Sequence, residues 1–326
     1  GVAYSQAIWE AIRANTFVAQ NLPSIEVPAG NESINIPLEG ADPTFYKVAE
    51  VEDANATTGW PNATITSSKM GTGDASLSLA KMGARVMWSG ELEEDSLIPF
   101  VSQLRMQLEK AGAEQLEHAI IDGDTETSAS TNINDIQGTP AATDLFMLFN
   151  GFRKSPLVTT TANSRDAGAL TAEDYLETVK LMGTGGLNSA DPSKVGFIVD
   201  PSTYWKSLEL EEVKTRDVFA QPTIENGILN GIYGYDLYRS YFMHYKDSDR
   251  LANSNGMVDQ DTASNNSTGA ILAVRWDQWL LGYRRRMTME TTRIARSDAT
   301  EIVALMRLGL VQRDTEAAAI SYNVTV

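Results

Sequence analysis

The chain contains no cysteine and only two histidines, His118 and His244, in 326 residues. Disulfides, thiolate zinc sites and cysteine nucleophiles are therefore excluded, and stability has to come from packing. A three-histidine metal site is impossible, and a serine triad would have to use one of the two imidazoles. No window holds the roughly 18 consecutive apolar residues that a membrane span needs. The start GVAYSQAIWEAIRANTF has no basic region followed by an apolar core, so no signal peptide is visible. Positive charge is also scarce, with 26 Lys and Arg against 43 Asp and Glu and a net charge of -17. That deficit argues against an extended nucleic-acid-binding surface, which needs clustered cations to neutralise phosphates.

The recognisable motifs of catalysis are missing too. There is no GxSxG elbow, P-loop, dinucleotide fingerprint or HExxH. Asp122, Asp124 and Glu126 form one acidic group, and Asp247, Asp249, Asp259 and Asp261 another; neither has calcium-loop spacing, and both are expected to be solvated loops. His118 is expected to be a packed or surface residue and His244 an exposed loop residue. Glu93 and Asp95 could serve as a carboxylate pair in an α/β enzyme, but acids so close together before a helix usually favour its N-terminus. No catalytic residue, cofactor or metal is assigned.

What is present is a long helix. Ala84 to Ser89 has the Val and Trp enrichment of a strand, Glu91 to Asp95 form an acidic corner, and Ser96 sits where an N-cap should be. Leu97, Phe100, Leu104, Leu108, Leu116 and Ile120 then recur at helical spacing. Counted from Ser96 to Ile121, the helix would be on the order of 38 Å long before Gly123 stops it.

On either side the pattern changes. Tyr4, Ile8, Ala11, Ile12 and Val18 predict an amphipathic arm. Between Ile34 and Ala84, short strand-like runs (Val48 to Val51, Ala63 to Ser67, Ser76 to Ala80) predict a long hairpin with too few large side chains for a core of its own. Such a ribbon folds back on its own chain or lies on another. Thr171 to Asp174 predict the start of a helix with Tyr175, Leu176, Val179 and Met182 facing inward. Val195 to Val199 predict a buried strand, and Pro201 to Trp205 open a short helix. Met243 to Gly269 is acidic and Asn-rich and is expected on a surface. From Ala270 to Val326 nearly everything predicts strand, within which Arg284, Arg285 and Arg286 suggest ion pairs to an acidic neighbour.

The order strand, acidic corner, long helix, Gly-Asp resembles the spine-helix region of tailed-bacteriophage major capsid proteins, the Hong Kong 97-like fold. VGFIVDPSTYWKSL, from Val195 to Leu208, and GILNGIYGYDLYRS extend the likeness into an axial domain. The resemblance implies an α+β subunit. Residues 1–33 would be the N-terminal arm, and 34–45, 83–154 and 284–326 the peripheral domain, with the spine helix at about 96–121. Residues 46–82 would be the E-loop and 155–283 the axial domain. It implies no enzyme, and a self-assembling icosahedral shell of hexamers and pentamers in the virion, assembled in the host cytoplasm around double-stranded DNA held without sequence-specific binding. An acidic wall suits a container that must release its genome.

Further partners implied are neighbouring capsomers, portal, scaffold or maturation protease, and decoration protein, with no membrane. Gly1 in place of Met fits a chain whose leader is removed by a protease as well as simple trimming. Tyr4, Ile8, Ile12, Lys47, Trp60, Lys69, Glu93, Glu94, Arg284, Arg285 and Arg286 are the expected inter-subunit contacts. Some relatives cross-link a lysine to an asparagine with help from a glutamate; here the matching positions carry Leu305 and Gln312, so a noncovalent shell is expected. An encapsulin nanocompartment, with the same fold and enzyme cargo, is the alternative.

Overall fold

The computed structural model describes residues 16–30, 33–40, 42–47, 67–95, 100–128, 131–184, 192–214, 224–225 and 228–326. The predicted arm helix at Tyr4, Ile8 and Ile12, the runs Val48 to Val51 and Ala63 to Thr66, and the cap at Ser96 lie outside these residues.

Two sheets share one core. The smaller has the order β1-β12-β13-β4, with β1 Ser24–Glu26, β4 Ala80–Ser89, β12 Trp279–Ile294 and β13 Ala299–Gln312. Along β13, Ile302, Ala304, Met306, Leu308 and Leu310 are buried while Glu301, Val303, Leu305 and Arg307 are less so, the period-2 pattern of a sheet covered on one face. The covering element is α3, Phe100–Asp122, whose 23 residues span about 34 Å. Its first half buries only one side, with Leu108 packed between Trp88 and Ile302. From Leu116 to Asp122 every residue is buried, because this end is driven between the two sheets.

The larger sheet has the order β5-β14-β11-β6-β10-β9: β5 Ser164–Ala169, β6 Val195–Val199, β9 Gly231–Ile232, β10 Tyr235–Arg239, β11 Thr268–Arg275 and β14 Ala318–Thr325. β6 and the middle of β11 are buried throughout and read as continuous apolar runs, as strands covered on both faces do. One face carries α4, Glu173–Lys180, and α5, Pro201–Ser207, over Tyr175, Phe197 and Ile271. Asp200 caps α5 by accepting the Thr203 N–H at 2.9 Å and reaches across to the Ala270 N–H at 2.9 Å.

Several expectations need correction. The segment 284–326 is not one unit: β14 leaves β12 and β13 and inserts between β5 and β11 in the larger sheet, because Ala318, Ala319 and Ile320 are buried on both sides. The hairpin stem also begins earlier than 46. β2, Ser33–Glu39, pairs antiparallel with β3, Thr72–Ser78, so part of the 34–45 stretch assigned to the body forms the ribbon. Met243 to Gly269 is not a solvated excursion. Met243, His244, Ala252, Val258 and Asp259 are at most 1% exposed. Its acids and amides satisfy one another: Asp247 accepts from the Leu251 N–H at 3.0 Å, and Asn266 donates to Asp247 at 3.1 Å and to the Asp259 carbonyl at 2.8 Å. Polar composition here marks a tightly hydrogen-bonded loop rather than a wet one.

The hairpin is held at its root by one side chain. Leu77 is fully buried, and it fits because Gly282 and Gly309 face it: a Cβ on Gly282 would lie 2.3 Å from Leu77 Cδ2, and one on Gly309 would lie 2.0 Å from the Ser78 carbonyl oxygen. Gly309→Ala should therefore detach the ribbon's base while sparing the larger sheet. The expected outcome is faster proteolytic nicking between residues 33 and 80 with only a modest loss of thermal stability; unchanged cleavage would contradict it.

Candidate assembly surfaces and the joint behind them

The buried end of α3 is where arm, helix and both sheets come closest together. Helix ends leave carbonyls without intrahelical partners. Here the turn at 151–153 takes them up: Phe152 N–H donates to the Ile120 carbonyl at 2.9 Å, Arg153 N–H to Ile121 at 3.0 Å and Gly151 N–H to Gly123 at 2.8 Å. Asn134 Nδ2 donates to the Asp122 carbonyl at 2.6 Å. So close an approach requires Gly123, whose Cβ would fall 2.3 Å from the Phe149 carbonyl oxygen. Gly123 thus ends the helix by admitting another backbone, with no left-handed conformation required.

Asp122 and Asp124, expected in a solvated loop, are fully buried. Asp122 pairs with Arg153 at 2.7 Å, both side chains completely enclosed, and accepts the Tyr245 N–H at 2.9 Å. Arg153 also donates to the Gly256 carbonyl at 2.7 Å. Asp124 pairs with Lys154 at 2.8 Å and accepts the Ile133 N–H at 2.8 Å. Two cations at a helix C-terminus and two fully hydrogen-bonded carboxylates form a network whose single-sided removal would strand a charge. His244 is also enclosed, against expectation; burial holds its imidazole well below its usual range, and its Nδ1 bonds the Arg250 carbonyl at 3.1 Å. His118 packs on the Tyr245 ring, 4.2 Å between centroids, and burial lowers it to about 4. Among the described residues no group of three or more His, Cys, Asp or Glu could hold a metal ion, and no helix is long and apolar enough to cross a membrane.

The base of the arm is fixed by Glu117. Its carboxylate accepts the N–H groups of Phe17 and Val18, both at 3.0 Å, at the N-terminus of α1, Val18–Asn21. Phe17 then stacks on Tyr238 of β10 at 4.6 Å, so arm, helix and larger sheet meet at one point. Burial raises Glu117 to about 7 although the Phe17, Val18 and Ala19 amides oppose it.

The expected contact residues distribute as follows. Tyr4, Ile8, Ile12 and Trp60 lie outside the described residues. Lys47 and Lys69 are exposed just beyond the point where the Thr44 N–H donates to Ser68 Oγ at 3.1 Å, so both flank the outer part of the hairpin. Glu94 is exposed on α2, Gly90–Asp95; Glu93 lies on the same helix, its side chain undescribed. Arg284 donates to the Pro28 carbonyl, and Arg286 is 3.8 Å from Glu26 and covers the Tyr283 ring at 4.7 Å, so these two also clasp the β1 segment of their own chain. The acidic and basic sets occupy opposite ends of the smaller sheet. Sequence reading missed Glu117, Arg153, Lys154 and Leu77. Trp205 and Phe45, 55% and 99% exposed, add apolar contact surface that was also missed.

No family model matches this chain, and no curated protein does. Solved structures do. The capsid of a native GTA particle aligns over 100% of this chain and 95% of its own at 13% identity, with a TM-score of 0.68. The capsid of the cyanophage P-SCSP1u aligns over 100% and 93% at 14% identity and 0.66. The mature capsid of bacteriophage PhiM1 aligns over 99% and 91% at 10% identity and 0.65. The chain has the Hong Kong 97-like capsid fold. The fold is mixed α+β, as expected, and contains the long helix α3 and the antiparallel β2–β3 ribbon.

Glu117 and His118 tilt stability in opposite directions. Between pH 4.5 and 7 the folded chain keeps a proton on Glu117 that the unfolded chain releases, so this contribution is full below 4.5 and is lost as pH rises through 7. His118 is lost on acidification from 6.5 towards 4, and the two partly cancel. Urea unfolding of the parent and Glu117→Gln across pH 4.5 to 8 should show the parent losing stability relative to the variant as pH rises, by on the order of 3 kcal/mol. Parallel profiles would refute it.

Proposed function

We propose that this chain is the major subunit of an icosahedral shell, assembling into hexamers and pentamers around double-stranded DNA in a tailed phage or GTA-type particle. The carrying observation is the alignment of the whole chain, 99–100% of it, with solved capsid subunits. It is supported by the hairpin, in which β2 alternates exposed and half-buried side chains and β3 is exposed apart from buried Ala75 and Leu77, so that much of its surface is left for another molecule. In this reading residues 1–33 form an arm, the β2–β3 ribbon and the 48–66 tip an E-loop, the smaller sheet with α3 the peripheral domain, and the larger sheet the axial domain. The particle would form in the host cytoplasm and persist as the virion, with portal, scaffold or protease and decoration protein as further partners. A protease-processed amino terminus belongs to the same reading. Interfaces are collective, so each may be weak while the closed shell is stable.

The shell is held without covalent links. Leu305 lies over Gly83 on the outer face of the smaller sheet and offers no carbonyl for an amine to attack, while Gln312 Nε2 donates to the Asp314 carbonyl at 2.7 Å. Boiling purified particles in detergent should release one monomer band; ladders would refute this.

Assembly itself is tested by negative-stain microscopy of the purified chain and of a variant lacking residues 48–66. The parent should form closed particles containing nuclease-protected DNA when produced with its packaging partners, and the variant should remain soluble without closing. Normal shells from the variant, or particles filled with an enzyme cargo instead of DNA, would overturn the reading, the second outcome in favour of an encapsulin.

A further inference from the structure

The smaller sheet carries an unusual row of charge. Arg307 of β13 stands opposite Lys81 of β4 in unbroken register, and Arg285 of β12 stands opposite Arg307 between two irregularities of the β12–β13 pairing. Directly paired residues in a sheet project to the same face, and like charges placed so are destabilising. The face is the outer one, since Met82, Met306 and Leu308 beside them turn inward to the core. None of the three cations has an ion pair among the described residues, in a chain where acids outnumber bases 43 to 26. Elsewhere on the same sheet cations are neutralised internally, Arg85 by Glu301 at 2.6 Å and Arg293 by Asp298 at 2.5 Å.

The opposite end of the sheet carries the complementary charge. β4 runs on from Lys81 to Ser89, about 26 Å at the rise of a strand, and turns directly into α2. That short helix holds Glu91, Glu93, Glu94 and Asp95 in six residues, and Glu91 and Glu94 are exposed with no ion pair among the described residues. Between the two ends the face mixes the Arg85–Glu301 ion pair, Thr288 and exposed Glu290 with apolar surface from Leu305 over Gly83, half-buried Val303, and Met87 at 48% exposure. A charged rim beside an apolar strip is the anatomy of a protein interface.

We propose that this sheet face joins copies of the chain head to tail, the row Lys81, Arg307 and Arg285 of one copy receiving the acidic 90–95 helix of the next. The two ends differ, so the contact is heterologous, and a heterologous contact repeated with a fixed rotation closes into a ring. Charge complementarity steers the encounter and fixes the direction of travel around the ring. The inference deepens the assembly reading and rests on it.

The test reverses each end separately and then together. K81E/R285E/R307E and E91K/E94K should each fold, by circular dichroism melting, yet give at least ten-fold fewer particles by microscopy and sedimentation. One chain carrying all five changes should regain particles, because opposite charges again meet at every contact, whereas an equimolar mixture of the two can match charges only in even-numbered, alternating rings and should not restore pentamers. R285Q/R307Q, which deletes charge without reversing it, is scored alongside in case the triple reversal melts early; it should lower particle yield several-fold at physiological salt. Parent-level yield from R285Q/R307Q or from either reversed variant overturns the proposal, as does failure of the folded five-change chain to regain particles. If the charge-reversed rows assemble normally but lose bound DNA, the row serves a polyanion instead and the proposal falls while the assembly reading stands. A parent chain that never forms particles removes the assembly reading and the head-to-tail contact with it.

Discussion

The last carbonyls of α3 have to find donors in a place from which water is excluded, and the surrounding structure is arranged around that requirement. An unpaired buried backbone group costs about 1–3 kcal/mol, so several together would unfold a domain of ordinary stability. Residues 151–153 supply the donors as backbone, and the side chains that follow from the same segment, Arg153 and Lys154, neutralise the two aspartates that flank the helix end. One short segment therefore solves the hydrogen-bonding and the charge problem together. The 243–269 loop completes the enclosure by donating Tyr245 N–H to Asp122 and accepting from Arg153 at the Gly256 carbonyl.

From this fixed end the rest follows mechanically. The helix emerges between the two sheets and lies along the smaller one, while Phe152 meets Trp276 and Trp279 edge-on, at the point where the chain passes from β11 of the larger sheet to β12 of the smaller. The arm leaves from the same region, held by Glu117 and by Phe17 on Tyr238. The ribbon is anchored on the smaller sheet by Leu77 in a niche of two glycines. The base of the arm and the base of the ribbon are thus both rooted in buried, fully packed parts of the two sheets and the helix between them.

Much of the framework was legible because it depends on period and local chemistry. The long helix shows in its apolar spacing, β6 in its run of five apolar residues, the α5 start in Asp200-Pro201, and the strand-rich end in its composition. The errors have a common cause. Asp122, Asp124, His244 and the 243–269 loop were expected in solvent because charge usually marks solvent, yet some of the partners that bury them, Arg153 and Tyr245 for Asp122 and Asn266 for Asp247, lie 31, 123 and 19 residues away in sequence, beyond the reach of any local pattern. The hairpin between Ile34 and Ala84 was legible in the alternation of β2, Ser33–Glu39, and only the boundary at 46 implied by the resemblance fell past the stem that β2 forms with β3.

By itself, then, the sequence determined the elements, the absence of cysteine chemistry and the acidic balance, since these are properties of residues and their near neighbours. Only the tertiary structure decided that β14 crosses to the other sheet, that a buried ion-pair network seals the helix end, and that three cations line up across β12, β13 and β4. Each of those depends on which distant strands become neighbours, and that choice is made by the joint filling of one core rather than by any segment alone.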